Sequence, residues 1–167
     1  MNRRMVPVRY IPTTITQKDA RQQTRELLRS RKMYKKGQYH TRRKIASFKS
    51  KPSGHIARAR EIYKIDHIVP SKELSRKTGC SVSALQKIVK KGEGAYFSSG
   101  SRPNQTAQSW GYARLASAIT SGKSAAVDFD ILEKGCNHSK PAYRMAVLSR
   151  KKHGHGQRHT KRRQLIQ

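Results

Sequence analysis

Residues 70–92 read PSKELSRKTGCSVSALQKIVKKG, and two helix starts are legible in them. Pro70 and Ser71 open the first helix, with Glu73 in its first turn, where the helix dipole favours an anion. Gly79 closes it. Ser81 then caps a second helix, which carries Val82, Leu85, Ile88 and Val89 on one face and Ser83, Gln86, Lys87 and Lys90 on the other. Lys90 and Lys91 suit its C-terminal end, and Gly92 is the expected stop. A short helix, a glycine turn and a longer amphipathic helix are the parts of a helix-turn-helix, whose polar face would meet a DNA groove. They are also the parts of an ordinary helical hairpin with solvated lysines, or of a surface that touches phosphates without reading sequence. The ordinary hairpin is the plainer expectation.

Downstream, a polar loop, GEGAYFSSGSRPN, leads to a third helix from about Thr106 to Thr120. It is apolar on most sides (Ala107, Trp110, Tyr112, Ala113, Leu115, Ala116, Ala118, Ile119), as a buried element would be. After Gly122 a last helix is expected in SAAVDFDILEKG. Three or four short helices around Trp110 would make a core of about the smallest size that folds unaided. The SSGSRPN loop lacks the spacing of a phosphate-binding loop. Its serine-glycine backbone and Arg102 could form an anion nest, but a rigid turn set by Gly100 and Pro103, with Asn104 or Thr106 as helix cap, is the expected role.

Charge surrounds this centre. The 167 residues hold 38 Lys and Arg against nine Asp and Glu, a net of +29. Residues 1–65 carry +16, residues 66–133 only +3, and residues 134–167 carry +10. The expected organisation is therefore a basic N-terminal arm with one or two helices (1–65), a small helical core (66–135) and a basic tail (136–167). In the first segment Thr16 and Asp19 resemble a capping pair before QKDARQQTRELLRSRK, a helix so polar that it is either solvated or completed by a partner. Residues 31–54 show no sustained period and read as an extended arm, with Tyr34, Tyr39 and Phe48 spaced for docking; IARAREIYK is a further short helix. The fold class expected is mainly α.

Such a charge points to nucleic acid, an anionic membrane or acidic protein surfaces. The candidate binding residues are Lys87, Lys90, Lys91 and Arg102 in the centre, with Arg150, Lys151, Lys152, Arg158, Lys161, Arg162 and Arg163 in the tail. Two cysteines, Cys80 and Cys136, are too few for a disulfide framework and suggest a reduced state. No apolar run has the length of a membrane span or a signal segment. Asp66-His67-Ile68-Val69-Pro70 resembles the histidine strand of His-Asn-His nucleases, and Cys136-Asn137-His138-Ser139-Lys140 its closing segment. In that scheme His67 is the base and Asp66 and His138 are metal ligands. The two halves lie too far apart for the compact module, so DHIVP reads better as a helix entrance. His153, His155 and His159 sit among cations that disfavour a metal. No enzyme, cofactor or metal is expected.

The segment GAYFSSGSRPNQTAQSWGYARLASAITSGKSAAVDFDILEKGC resembles an uncharacterised domain family of large icosahedral double-stranded DNA viruses. The shared pattern is GxGAYxSSGSRPxQTxxSWGxARLxS. It is met here by Gly92, Gly94 to Tyr96, Ser98 to Pro103, Gln105, Thr106, Ser109 to Gly111, Ala113 to Leu115 and Ser117. The resemblance covers about Glu73 to Cys136 and leaves out DHIVP and the basic arms. It implies a viral origin and a place in the virion, but no chemistry. The function expected on this basis is a minor capsid or cement protein, its arms bridging the major capsid protein and other minor capsid proteins. Nucleic acid and an anionic inner membrane are further partners for the arms. The alternative is a virion core protein that condenses DNA without sequence preference.

Overall fold

The computed structural model describes residues 5–156 and 160–165. Among the described residues the fold is mainly α, 58% helical, with eight helices and a small two-stranded sheet. In chain order the elements are β1 (Met5–Pro7), a 3-10 turn (Val8–Tyr10), α1 (Gln17–Tyr34), α2 (Gly54–Tyr63), α3 (Lys72–Thr78), α4 (Val82–Ser98), α5 (Ala107–Ala118), α6 (Lys123–Val127), α7 (Phe129–Gly135), α8 (Pro141–His153) and β2 (Arg162–Gln164). They form two compact units, and this partition runs across the charge-defined segments. One unit comprises 1–51, 93–110 and 159–167, and the other 52–92 and 111–158.

The first unit is built on α1. Thr16 caps it by accepting from the Asp19 N–H, as the sequence indicates. Its polar character is resolved within the chain: Gln23 donates to the Tyr10 carbonyl and Ser30 to the Phe97 carbonyl. Leu27 is buried with Val6, Ile11, Ile45 and Leu165. β1 and β2 pair antiparallel, Met5 opposite Gln164. Residues 38–53 contain no helix or strand, yet they are not a free arm. Phe48 packs on this core, and Tyr39 lies against Tyr34 and Phe97.

The second unit holds the hairpin. Ser71 and Ser81 cap α3 and α4 by accepting from the N–H groups three residues on. Gly79 closes α3 at φ +81°, and a Cβ there would fall 2.3 Å from the Lys140 Cβ. Leu74, Leu85, Ile88, Leu115, Ile119 and Leu132 form the fully buried centre.

Five expectations need correction. Gly92 does not stop α4; a Cβ there would lie 2.6 Å from the Gly111 Cα, so these glycines serve the close crossing of α4 and α5. Trp110 is not the centre of the core but half-buried, edge-on to Tyr10 in the first unit. The last expected helix is two, α6 and α7, broken at Asp128, whose buried carboxylate accepts two bonds from Arg114 and so fixes the corner. The supposed tail contains α8, which starts with Pro141 and buries Ala142 and Ala146. Cys80 and Cys136 are joined in a disulfide, because the α3–α4 turn and the end of α7 run side by side. Ser81 N–H to the Gly135 carbonyl and Asn137 N–H to the Gly79 carbonyl flank it.

Candidate polyanion-binding surface

The expected faces of α4 are the observed ones. Leu85, Ile88 and Val89 are buried, while Ser83, Gln86, Lys87 and Lys90 are exposed along one stripe. Lys87 lines a cleft of about 380 Å³ with Ser81, Ser83, Asp130, Ile131 and Lys134, so α7 supplies one cation and one acid to its far wall. Lys91 is also exposed, and its ammonium approaches Asp128 at 3.5 Å. That carboxylate is also held by Arg114, which donates to both of its oxygens.

The remaining candidates are dispersed. On α8, Arg150 lies 4.6 Å over the Phe129 ring, while Lys151 and Lys152 are exposed. In the first unit Lys161 and Arg162 are exposed, but Arg163 donates to the Ile11 carbonyl at 2.9 Å and helps hold the strand pair. Arg102 is exposed. Arg158 lies outside the described residues, as does His159. Lys87, Lys90 and Lys91 share one helix, and Arg150, Lys151 and Lys152 another.

The SSGSRPN loop is a clamp. Gly100 sits against Leu27 and Tyr10, and Thr106 caps α5 through a reciprocal pair with Ser109. Asn104 accepts from the Ile45 N–H and donates to the Ile45 and Phe48 carbonyls, mimicking a strand partner for the coil. The Ser101 hydroxyl accepts from Arg42 at 2.7 Å. The turn reading of the loop holds, but the sequence did not disclose the side chain it serves.

That side chain is Arg42. It is 7% exposed, donates to the Tyr96 carbonyl and the Ser30 hydroxyl, and lies 3.7 Å over the Tyr96 ring. The Tyr96 hydroxyl in turn accepts from the Arg42 N–H. Burial pulls this guanidinium below its ordinary, very high value, because neutral acceptors rather than a carboxylate surround it. Arg42 stands in a run of cations, TRRK, where nothing in the one-dimensional pattern separates it from Arg43. Its partners make it different: Ser30 on α1, and Tyr96 and Ser101 more than fifty residues on.

Among the described residues no group of three or more His, Cys, Asp or Glu could hold a metal ion. Asp66 and His67 are exposed just before α3. His138 donates to the Glu133 carbonyl at 2.8 Å and stacks on Tyr143, a position that leaves it in a structural role. No described helix is long and apolar enough to cross a membrane.

No curated protein and no solved structure matches this chain. A family model does, and its match begins well before Glu73. It takes in β1's end, α1, the coil that delivers Arg42, DHIVP and the hairpin, so the first unit's N-terminal half shares the family with the SSGSRPN clamp. Matching over residues 7–134, the chain belongs to the family described as Family of unknown function (DUF5824).

Proposed function

We propose that the protein is a non-enzymatic virion protein of a large icosahedral double-stranded DNA virus, one that binds nucleic acid along its phosphates. The viral element rests on the likeness of the SSGSRPN-to-ARL pattern to a family of such viruses. The nucleic-acid element rests on one observation: a chain of net charge +29 whose Lys87, Lys90, Lys91, Lys151, Lys152, Lys161 and Arg162 are all exposed. Three of its nine acids, Asp19, Glu26 and Asp128, are committed to internal partners. A surface of this kind attracts polyanions from a distance and releases counterions on contact, so affinity falls steeply with salt.

A minor capsid protein is the second reading, with the major capsid protein or an anionic inner membrane as partner. It is favoured by Val127 and Leu148, 46% and 60% exposed on the neighbouring helices α6 and α8, where a shell subunit could cover them. Of the arm's aromatics, Tyr39 is 70% exposed and available to a partner, whereas Phe48 packs on the first unit's core.

Detergent followed by graded salt on purified virions separates the two. Release together with DNA at a salt threshold is the expected result. Retention with the major capsid protein after lipid and DNA have left would establish the shell instead. Absence from virions would refute both.

A further inference from the structure

The polar face of α4 is a feature of the hairpin that packing does not explain. We infer that α3, its turn and α4 form a helix-turn-helix that presents α4 to the major groove of duplex DNA and reads sequence there. This deepens the nucleic-acid reading above and rests on it.

The geometry has the required parts. A seven-residue helix ends at Gly79 in the left-handed conformation, three residues make the turn, and Ser81 caps a second, longer helix. Leu74, Cys80, Leu85 and Ile88 are buried, so both helices are fixed on the core. The turn is additionally pinned by the Cys80–Cys136 disulfide and the two backbone bonds beside it. α5 crosses α4 at Gly92, one full helix turn beyond Ile88, and leaves the N-terminal half of the stripe open. A reading helix must be held rigidly from behind and be bare in front.

The exposed chemistry fits DNA better than a protein. From Val82 to Lys91 the helix carries three lysines and no acid. Ser83, Gln86, Lys87 and Lys90 are exposed at successive helical turns. A glutamine amide pairs with both adenine N6 and N7, and lysine reaches guanine O6 and N7 or a phosphate. An apolar protein partner would find no anchor on this stripe. Lys134 across the cleft is placed for a flanking phosphate; Asp130 beside it is the one opposing charge lining the cleft.

The test is selection from a random duplex library with the full chain, at a salt concentration that releases scrambled duplex, followed by anisotropy titrations of the selected and scrambled sequences. A consensus of about four to six base pairs is expected. Gln86→Ala should cost about ten-fold on the consensus, relax one base position and leave scrambled affinity unchanged. Lys151→Ala with Lys152→Ala should weaken both duplexes alike. All are exposed positions, and an unchanged melting temperature confirms the fold. Salt-sensitive binding without a consensus overturns this inference and leaves the phosphate-binding reading intact. So does a consensus unaffected by Ser83→Ala, Gln86→Ala and Lys87→Ala together, which would place the reader elsewhere. Binding to no duplex even at low salt overturns both.

Discussion

Two side chains in the first unit show how a very cationic chain spends its few acids and buries one of its cations. Arg42 is held by carbonyl, hydroxyl and ring faces alone. Replacing it with methionine keeps the volume but strips donors from several buried acceptors. Arg42→Met should therefore cost about 3 to 5 kcal/mol, seen as a lower denaturant midpoint, whereas exposed Arg43→Met should cost less than about 0.5. Glu26 behaves oppositely. Burial alone would raise its carboxyl, but the Arg43 N–H and His40 outweigh that and hold it below its ordinary value. Asp19 is lowered by the hydroxyl and N–H of Ser47. A carboxylate whose folded pKa is depressed stabilises fully above its unfolded value and loses that contribution as pH falls through the folded one. Melting temperature should thus fall as pH drops below about 4.5, and Glu26→Gln should flatten that fall. An unchanged acid slope in the variant would remove Glu26 from the account. Of these residues the sequence shows only the Thr16–Asp19 cap, because a cap is local. The Arg42 partnership spans the chain and leaves no local trace.

At the scale of elements, the α3–α4 hairpin was legible nearly to the residue. Its caps, glycine and alternating faces all act within one or two turns. The end of α4 was not, since Gly92 serves both as a helix stop in local rules and as a contact point in packing. Gly92→Ala tests which applies. A helix-interior alanine should stabilise by about 1 kcal/mol if the glycine were merely permissive. Against Gly111 it should instead destabilise by about 1 to 3 kcal/mol, read from thermal or urea unfolding. α8 was hidden by its lysines: ten cations and no acids in 134–167 suggested a disordered tail, yet two alanines on one face suffice for docking. The disulfide was hidden by arithmetic, because two cysteines look like too few. It closes a loop of 56 residues, so reduction, or Cys80→Ser with Cys136→Ser, should lower stability by about 2 to 4 kcal/mol. Equal midpoints with and without reductant would show the crosslink contributes nothing.

For the whole molecule, the mainly α class and the family segment were visible from Glu73 onward, while the family's reach back to residue 7 was not. That earlier region lacks apolar periodicity because its buried side of α1 is largely polar: Gln23, Thr24, Glu26 and Ser30. The candidate cations were legible as a set but not as a surface, since charge counts carry no coordinates. Their placement shows three kinds: exposed ones such as Lys87, structural ones such as Arg163, and Lys91, which is both exposed and beside Asp128. Deleting residues 160–165 should raise amide exchange in β1 and α1 by at least about ten-fold and leave α6 to α8 unchanged. Uniform exchange across the chain would show that β2 supports both units.

That strand pair has a consequence for biosynthesis. Met5 leaves the ribosome well before its partner Gln164, which follows only after helices α1 to α8 have been made. The hairpin and the helices packed on it can settle in order of appearance. The first unit must wait, its cationic α1 and aromatic coil unsheathed, through most of translation. A segment of that charge, made before its strand partner and completed only after it, stays open to polyanions longer than the hairpin does.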